Sequence, residues 1–121
     1  MKKDIQLDVT LLALAHPARR AIMQRLSRGE LRVTTLAKPF AMSLNAVSKH
    51  VRVLERARLV RRRRAGREHL LSVNLEPLDA AASWLSAQRV IWTSRLDTLE
   101  AILRTEDRLS AKTRRRRRLS R

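Results

Sequence analysis

The chain has 121 residues, which allows one compact domain and little more, so two independent domains are not expected. Lysine and arginine together number 28 against 11 acidic residues, and the formal net charge of +17 makes a nucleic acid the first candidate partner. The absence of cysteine excludes disulfides, thiolate metal sites and redox sensing by thiols.

The N-terminal residues do not have the pattern of a leader or an anchor. Residues 1–4 are followed by no apolar run of the length that a signal peptide or a membrane span needs. We therefore expect a cytoplasmic protein with no membrane partner.

The first helix is predicted over residues 7–15, because apolar residues recur there at mostly helical spacing.

A second helix is predicted over residues 17–28. Pro17 suits its first position, where the missing N–H costs nothing, and Gly29 suits its end. The spacing of the apolar residues predicts that one face of this helix is buried, and that face carries Ile22, Met23 and Leu26.

The third predicted helix is very short. It begins after Val33 with Thr34 or Thr35 as its cap, and Pro39 stops it within two turns. A helix this short, followed by a tight connection and a longer helix, is typical of a helix-turn-helix motif.

The fourth helix is predicted over residues 43–55, with Ser43 as its N-terminal cap. Its apolar residues recur at spacings of four and three, which predicts one buried face formed by Val47, Val51 and Leu54. The opposite face is polar and carries Asn45, Lys49, His50 and Arg52.

The second half of the chain begins with a predicted hairpin, whose strands over residues 59–64 and 68–74 flank a turn that contains Gly66. A long amphipathic helix over residues 77–103 follows it. Residues 106–121 are rich in arginine and low in apolar residues, so they are expected to be a disordered basic tail that follows a domain over residues 1–105.

These elements predict a mainly α fold with a small β-hairpin: a winged helix-turn-helix domain with a long C-terminal dimerisation helix. Three stretches carry a family resemblance: residues 14–20 (LAHPARR), 43–55 (SLNAVSKHVRVLE) and 59–67 (LVRRRRAGR). Together they resemble an ArsR/SmtB-type repressor over roughly residues 7–103. The resemblance implies a homodimer that binds double-stranded DNA and blocks transcription at its operator.

The fourth helix is the candidate DNA reader, because the major groove admits one helix and its first turns meet the base edges. Asn45 suits an adenine, Lys49 a guanine, and the Ala46 methyl group a thymine methyl. The residues expected at phosphates are Ser43, Ser48 and Arg52. A merely solvated polar face is the alternative, and for His50 a passive surface role is as reasonable as a base contact.

Two groups of arginines are candidate backbone anchors. Arg63, Arg64 and Arg67 lie near the tip of the hairpin, where they could hold the DNA backbone or the minor groove. A charged edge that prevents strand pairing is the alternative. The run Arg114 to Arg118 could add sequence-independent affinity by counterion release, or it could only keep the protein soluble.

Departures from the family pattern exclude its metal sites. Arg32 and Thr34 stand where metal-sensing members carry a Cys-x-Cys pair. The long helix has no histidine and no His/Asp cluster, so we expect no metal and no cofactor. The three histidines of the chain lie in three different elements and are not expected to share a site; they are His16, His50 and His69.

A further departure is Arg58, which stands where the family has a glycine that closes the recognition helix. Arg58 either takes a left-handed conformation at a cost of about 1 kcal/mol, or the helix ends differently.

A stripe along the long helix has more apolar surface than one small domain can bury, which favours a dimer interface over ordinary core. The residues predicted at this interface are Leu11, Leu85, Trp92, Leu96, Leu99 and Leu103. Trp84 and Trp92 could instead line a pocket for a small-molecule inducer, which the sequence does not identify.

Two other classes of function compete with a sequence-specific repressor. One is an architectural or RNA-associated basic protein that binds nucleic acid mainly by electrostatics. The other is an enzyme, and this alternative is weaker because the chain has no catalytic triad, no metal-spaced histidine pair and just two glycines.

The bacterial regulator that we predict would work at the nucleoid.

Overall fold

The computed structural model describes residues 2–119 of the chain. In chain order the elements are α1 (Lys2–Leu14), α2 (Pro17–Leu26), β1 (Leu31–Arg32), α3 (Val33–Ala37), α4 (Leu44–Arg56), β2 (Val60–Ala65), β3 (Glu68–Val73) and α5 (Glu76–Leu119). The chain forms two units: the first ends at Ser83, and the second, from Trp84 onward, is the remainder of α5. The mainly helical class with a small sheet is the one predicted.

The sheet has three antiparallel strands in the order β1-β3-β2. Strands β2 and β3 form the predicted hairpin, here called the wing, with Arg62 opposite Leu71 and Arg64 opposite His69. Gly66 has a φ of +66°, and a type II′ hairpin turn needs such a positive angle at its first central residue. Strand β1 was not predicted, since two residues are too few to give a period.

The core of the first unit lies between the helices and the sheet. The predicted inward residues of α2 and α4 are buried, and the side chains that have no exposed area at all are Ile22, Leu36, Val47, Val51, Leu54, Leu59 and Leu71. The order of the elements, with α4 after a short α3 and the wing after α4, is that of a winged helix-turn-helix domain.

The joint between α1 and α2 explains the LAHPARR stretch. His16 is the N-cap of α2: its Nδ1 accepts a hydrogen bond of 3.1 Å from the Ala18 N–H, and Pro17 follows at the first helical position. Arg19 and Arg20 donate to the carbonyl oxygens at the end of α1, at distances of 2.6 to 3.1 Å. The two arginines therefore satisfy acceptors that a helix end leaves without partners.

Two predicted boundaries in the first unit were wrong. Helix α1 begins at Lys2 and not at residue 7, because the polar residues before Leu7 give no apolar period although they can form helix. The N-cap of α3 is Arg32, which makes no side-chain capping bond, so neither Thr34 nor Thr35 is the cap. Strand β1 leads directly into α3, and the sheet fixes where this helix starts.

The C-terminal part of α5 differs most from the prediction. We expected the helix to end near Leu103 and residues 106–121 to be disordered. In the structure the helix continues to Leu119, while Ser120 and Arg121 lie outside the described residues. No proline or glycine interrupts residues 104–119, most of the side chains there favour helix, and arginines near a helix C-terminus interact well with its dipole.

Arg58 adopts the left-handed conformation, with a φ of +61°. Its N–H donates to the Glu55 oxygen at 3.0 Å, and the Leu59 N–H donates to the Leu54 oxygen at 3.0 Å. These two bonds are those of a Schellman motif, and the accompanying contact involves the buried Leu54 and Leu59. Helix α4 therefore ends as a glycine-terminated helix does, with arginine in the strained position.

Arg58→Gly is expected to stabilise the protein by about 1 kcal/mol, because glycine adopts this angle without the clash of a Cβ. The Arg58 side chain is exposed, so little packing is lost. A thermal melt should show a midpoint several degrees higher. Arg56→Gly, two residues earlier and inside the helix, should lower the midpoint. A lower midpoint for Arg58→Gly would contradict the strain at this position.

Candidate nucleic-acid interface

Helix α4 packs against the core along one face and exposes the opposite face to solvent. Ser43 caps it as predicted, since its Oγ accepts a hydrogen bond of 3.1 Å from the Ala46 N–H. The helix contacts α2, α3 and β2. Its predicted inner face is fully buried, so the opposite face is fixed toward solvent.

The polar face of α4 brings the predicted DNA-contacting residues together. At 100° per residue, Asn45, Lys49 and Arg52 lie within about 60° of arc, and all three are exposed. Ala46 and Ser48 flank them and are partly buried. The exposed Ser43 uses an oxygen lone pair in its cap, so its hydroxyl hydrogen can still donate to a phosphate.

His50 turns toward protein neighbours. Its ring centroid lies 4.5 Å from that of His16, and its Nδ1 lies 3.5 Å from Nη1 of Arg19. Burial of the ring, together with the charges of His16 and Arg19, lowers the pKa of His50. These contacts favour a packing role over a base contact. They also bring two of the three histidines together, which the sequence did not predict.

Two of the four successive wing arginines are paired with carboxylates. Arg63 donates two hydrogen bonds to Glu30, of 2.6 and 2.7 Å, which lower the pKa of the Glu30 carboxyl and raise that of the guanidinium. Arg62 pairs with Glu55 at 2.7 Å, at the end of α4. The predicted anchor Arg63 is therefore already neutralised in the free chain. Among the side-chain bonds of the described residues, the exposed Arg64 has one, to the Gly66 carbonyl oxygen at 3.2 Å.

A cleft of about 350 Å³ lies between the start of α4 and the wing. It brings the predicted residues Ser48 and Arg67 together with polar side chains that were not predicted at this surface, namely Arg32, Thr34, Glu68 and His69. No local pattern could have found them, because they meet only after β1 pairs with β3. The carboxylate of Glu68 is occupied by Arg32, so the Arg67 guanidinium and the hydroxyl and imidazole groups of this cleft suit an anion such as a phosphate.

Arg32, at one of the family's metal-binding positions, pairs instead with Glu68 at 2.8 Å. Within residues 5–119, whose side chains the structure describes, no three histidine or acidic side chains lie close enough together to hold a metal ion. Among the helices described, none combines the length and the apolar character needed to cross a bilayer.

Comparison with known proteins agrees with this geometry. A family model described as a helix-turn-helix domain matches residues 14–63. The HTH-type transcriptional regulator Rv2034 of Mycobacterium tuberculosis is 39% identical over 94 residues, which cover 78% of this chain and 85% of that protein. A crystal structure of an ArsR family transcriptional regulator is 41% identical, with a TM-score of 0.70, and covers 75% of this chain and 94% of its own.

A second similar structure is the homodimeric winged helix-turn-helix DNA-binding domain of Mb0332 from Mycobacterium bovis, a possible ArsR-family regulator. It is 25% identical, with a TM-score of 0.55, and covers 75% of this chain and 82% of its own. The relative that is matched over most of its length, and the fold and polar helix face described above, lead to one conclusion. The chain belongs to the ArsR/SmtB-type family of transcriptional regulators and is a DNA-binding protein of the winged helix-turn-helix class.

Proposed function

We propose that this protein is a homodimeric repressor that binds an inverted-repeat operator in double-stranded DNA. Each protomer places α4 in the major groove and the wing on the adjacent backbone. The observation that carries the proposal is the outward face of α4, where Asn45, Lys49 and Arg52 are exposed directly opposite a fully buried face. Residues 1–105 carry these functions, and the protein works in the bacterial cytoplasm at the nucleoid.

The contacts to DNA divide between bases and phosphates. On α4, Asn45, Ala46 and Lys49 read base edges, and Arg52 holds a phosphate. The cleft beside the wing supports a second phosphate contact through Ser48 and Arg67, since Arg67 makes no ion pair with the acidic residues that the structure describes, whereas Glu68 in the same lining pairs with Arg32. The α4 residues therefore determine which DNA sequence is bound, and the wing fixes the position of the domain on the duplex.

The second unit supports the homodimer. Five side chains form the apolar stripe of α5, and each of them is between 51% and 60% exposed in the single chain: Leu85, Trp92, Leu96, Leu99 and Leu103. Leu11 of α1 is also exposed. Such a stripe on one face of a helix suits a second copy of the same helix, and the similar M. bovis domain is itself described as homodimeric.

Selection of bound fragments from the host genome, followed by footprinting, tests the proposal. A homodimer with two recognition helices should protect one inverted repeat whose half-sites lie about 34 Å apart, and protection should persist at moderate salt. Repression follows if this site overlaps a promoter and transcription from it falls when the protein is added. Even loss of affinity on all fragments as salt rises would instead favour a general polyanion binder.

Arg64→Ala is expected to weaken binding to all sequences alike and to reduce the salt slope by about one for each protomer, because it removes a phosphate contact. Arg63→Ala is the matched change in the same strand and should have the smaller effect, since Glu30 already neutralises that guanidinium. Salt titrations of the two variants on one duplex check this. Equal losses would mean that Arg63 leaves Glu30 when DNA binds.

A further inference from the structure

The end of α5 carries a dense positive charge with no role in the function proposed above. Residues 108–119, here called the C-terminal basic segment, hold seven basic side chains and no acidic one. The segment is helical throughout and every side chain in it is exposed. Arg114 to Arg118 alone encircle the helix, because five successive residues turn through more than a full circle.

The apolar stripe of α5 does not extend into this segment. Beyond Leu103, the same helical stripe reaches Glu106, Asp107, Ser110 and Arg114. These polar positions cannot extend a coiled-coil seam, so the predicted dimer contact ends near Leu103. An amphipathic membrane-binding face is also missing, since Leu109 and Leu119 are the only large apolar residues of the segment and Arg114 to Arg118 occupy every side of the helix between them.

The charge of the segment matches a nucleic-acid backbone. Twelve helical residues span about 18 Å, so the seven basic groups are spaced about 2.6 Å apart along the axis. Duplex DNA carries a phosphate about every 3.4 Å along each strand. Like charges three and four residues apart also oppose the helix, and a polyanion removes that repulsion. Since the protein binds DNA, this polyanion is already its partner.

We propose that the C-terminal basic segment is a second DNA-binding site, which holds phosphates without reading bases. It adds affinity for any duplex by counterion release, and it leaves the choice of operator to α4. The proposal concerns a surface separate from α4 and the wing, and it holds whether or not the operator is an inverted repeat.

The test is a variant of the full chain in which Arg114 to Arg118 are all replaced by glutamine, which keeps a similar helix propensity. A matched control replaces the same five residues by lysine and keeps the charge. The probe is a random-sequence duplex of about 60 base pairs, titrated from low to moderate salt. For the glutamine variant we expect the salt slope to fall by about two per chain, because the five arginines surround the helix and only part of them can face one duplex, and the affinity at low salt to fall more than tenfold. The lysine variant should remain close to the parent protein.

Each other result overturns the proposal. An unchanged slope in the glutamine variant means that the segment does not contact DNA. An equal loss in the lysine variant means that the effect does not come from charge.

A variant with only Arg114, Arg116 and Arg118 replaced by glutamine should lose about half as much of the salt slope. This variant keeps the test valid if the fivefold change disturbs the helix. Loss of binding to anionic lipid vesicles with an unchanged DNA slope would assign the segment to a membrane.

The same titrations distinguish this proposal from the proposal that the protein binds a specific operator. If the segment has no role, the preference for the selected genomic fragment over random DNA remains and the slopes do not change. If the operator proposal fails, the parent protein shows no preference, yet the glutamine variant still has the smaller slope.

Discussion

Leu96→Glu is expected to convert the protein to a monomer and to lower its affinity for the operator by roughly 100-fold or more. Leu96 lies in the middle of the apolar stripe of α5, and its side chain is 60% exposed in the single chain. In the proposed dimer the two copies of Leu96 would be buried together, so the substitution would bury two unpaired carboxylates. A monomer then holds one half-site with one recognition helix and loses the high effective concentration of the second.

Light scattering combined with size-exclusion chromatography measures the loss of the dimer, and footprinting measures the loss of binding to the operator. Ser94→Glu is the matched control, because Ser94 is exposed and lies on the opposite side of the same helix. This control should remain dimeric and bind normally. If Leu96→Glu still forms a dimer, the subunits associate through another surface and the stripe on α5 has a different role.

The elements that the sequence predicted well are those whose signals are local. Helix α4 has a capping serine and three apolar residues at helical spacing, and both features appear in the structure. The wing has a glycine between two strands, and for Arg58 the sequence left two alternatives open, of which the structure has the left-handed one. Each of these signals lies within a few residues of the structure that it determines.

The features that the sequence analysis missed depend on residues that are distant in the chain. Strand β1 has only two residues and is defined by β3, about 40 positions later. The pairing of Arg63 with Glu30 joins residues 33 positions apart, and His50 meets a histidine in another helix. No period or motif marks such contacts, so the sequence could name the wing arginines without showing which of them are already paired.

The C-terminal end of α5 was missed for a different reason. A high charge with few apolar residues predicts disorder, although the same arginines and leucines also favour helix. Charge argues against a packed core, and it does not by itself exclude an exposed helix. The distinction bears on function, because a helix presents its basic groups at a fixed spacing.

Asn45→Ala is expected to cost about 1–3 kcal/mol of binding free energy at the operator and to relax the preference at one base pair. The Asn45 side chain is exposed in the first turn of α4, where a recognition helix meets base edges. Asn45 makes no side-chain hydrogen bond within residues 5–119, whose side chains the structure describes, so its replacement should leave the fold unchanged. Affinities for the operator and for its single-base variants measure the effect.

Arg52→Ala is the matched control on the same face of α4, seven residues further along. Because Arg52 is assigned to a phosphate, its loss should weaken binding to the operator and to random DNA by the same factor and reduce the salt slope. For Asn45→Ala the loss should be confined to the operator and the salt slope should not change. Equal losses on operator and random DNA for Asn45→Ala would remove Asn45 from the base-reading residues and leave Lys49 as the main candidate on this face.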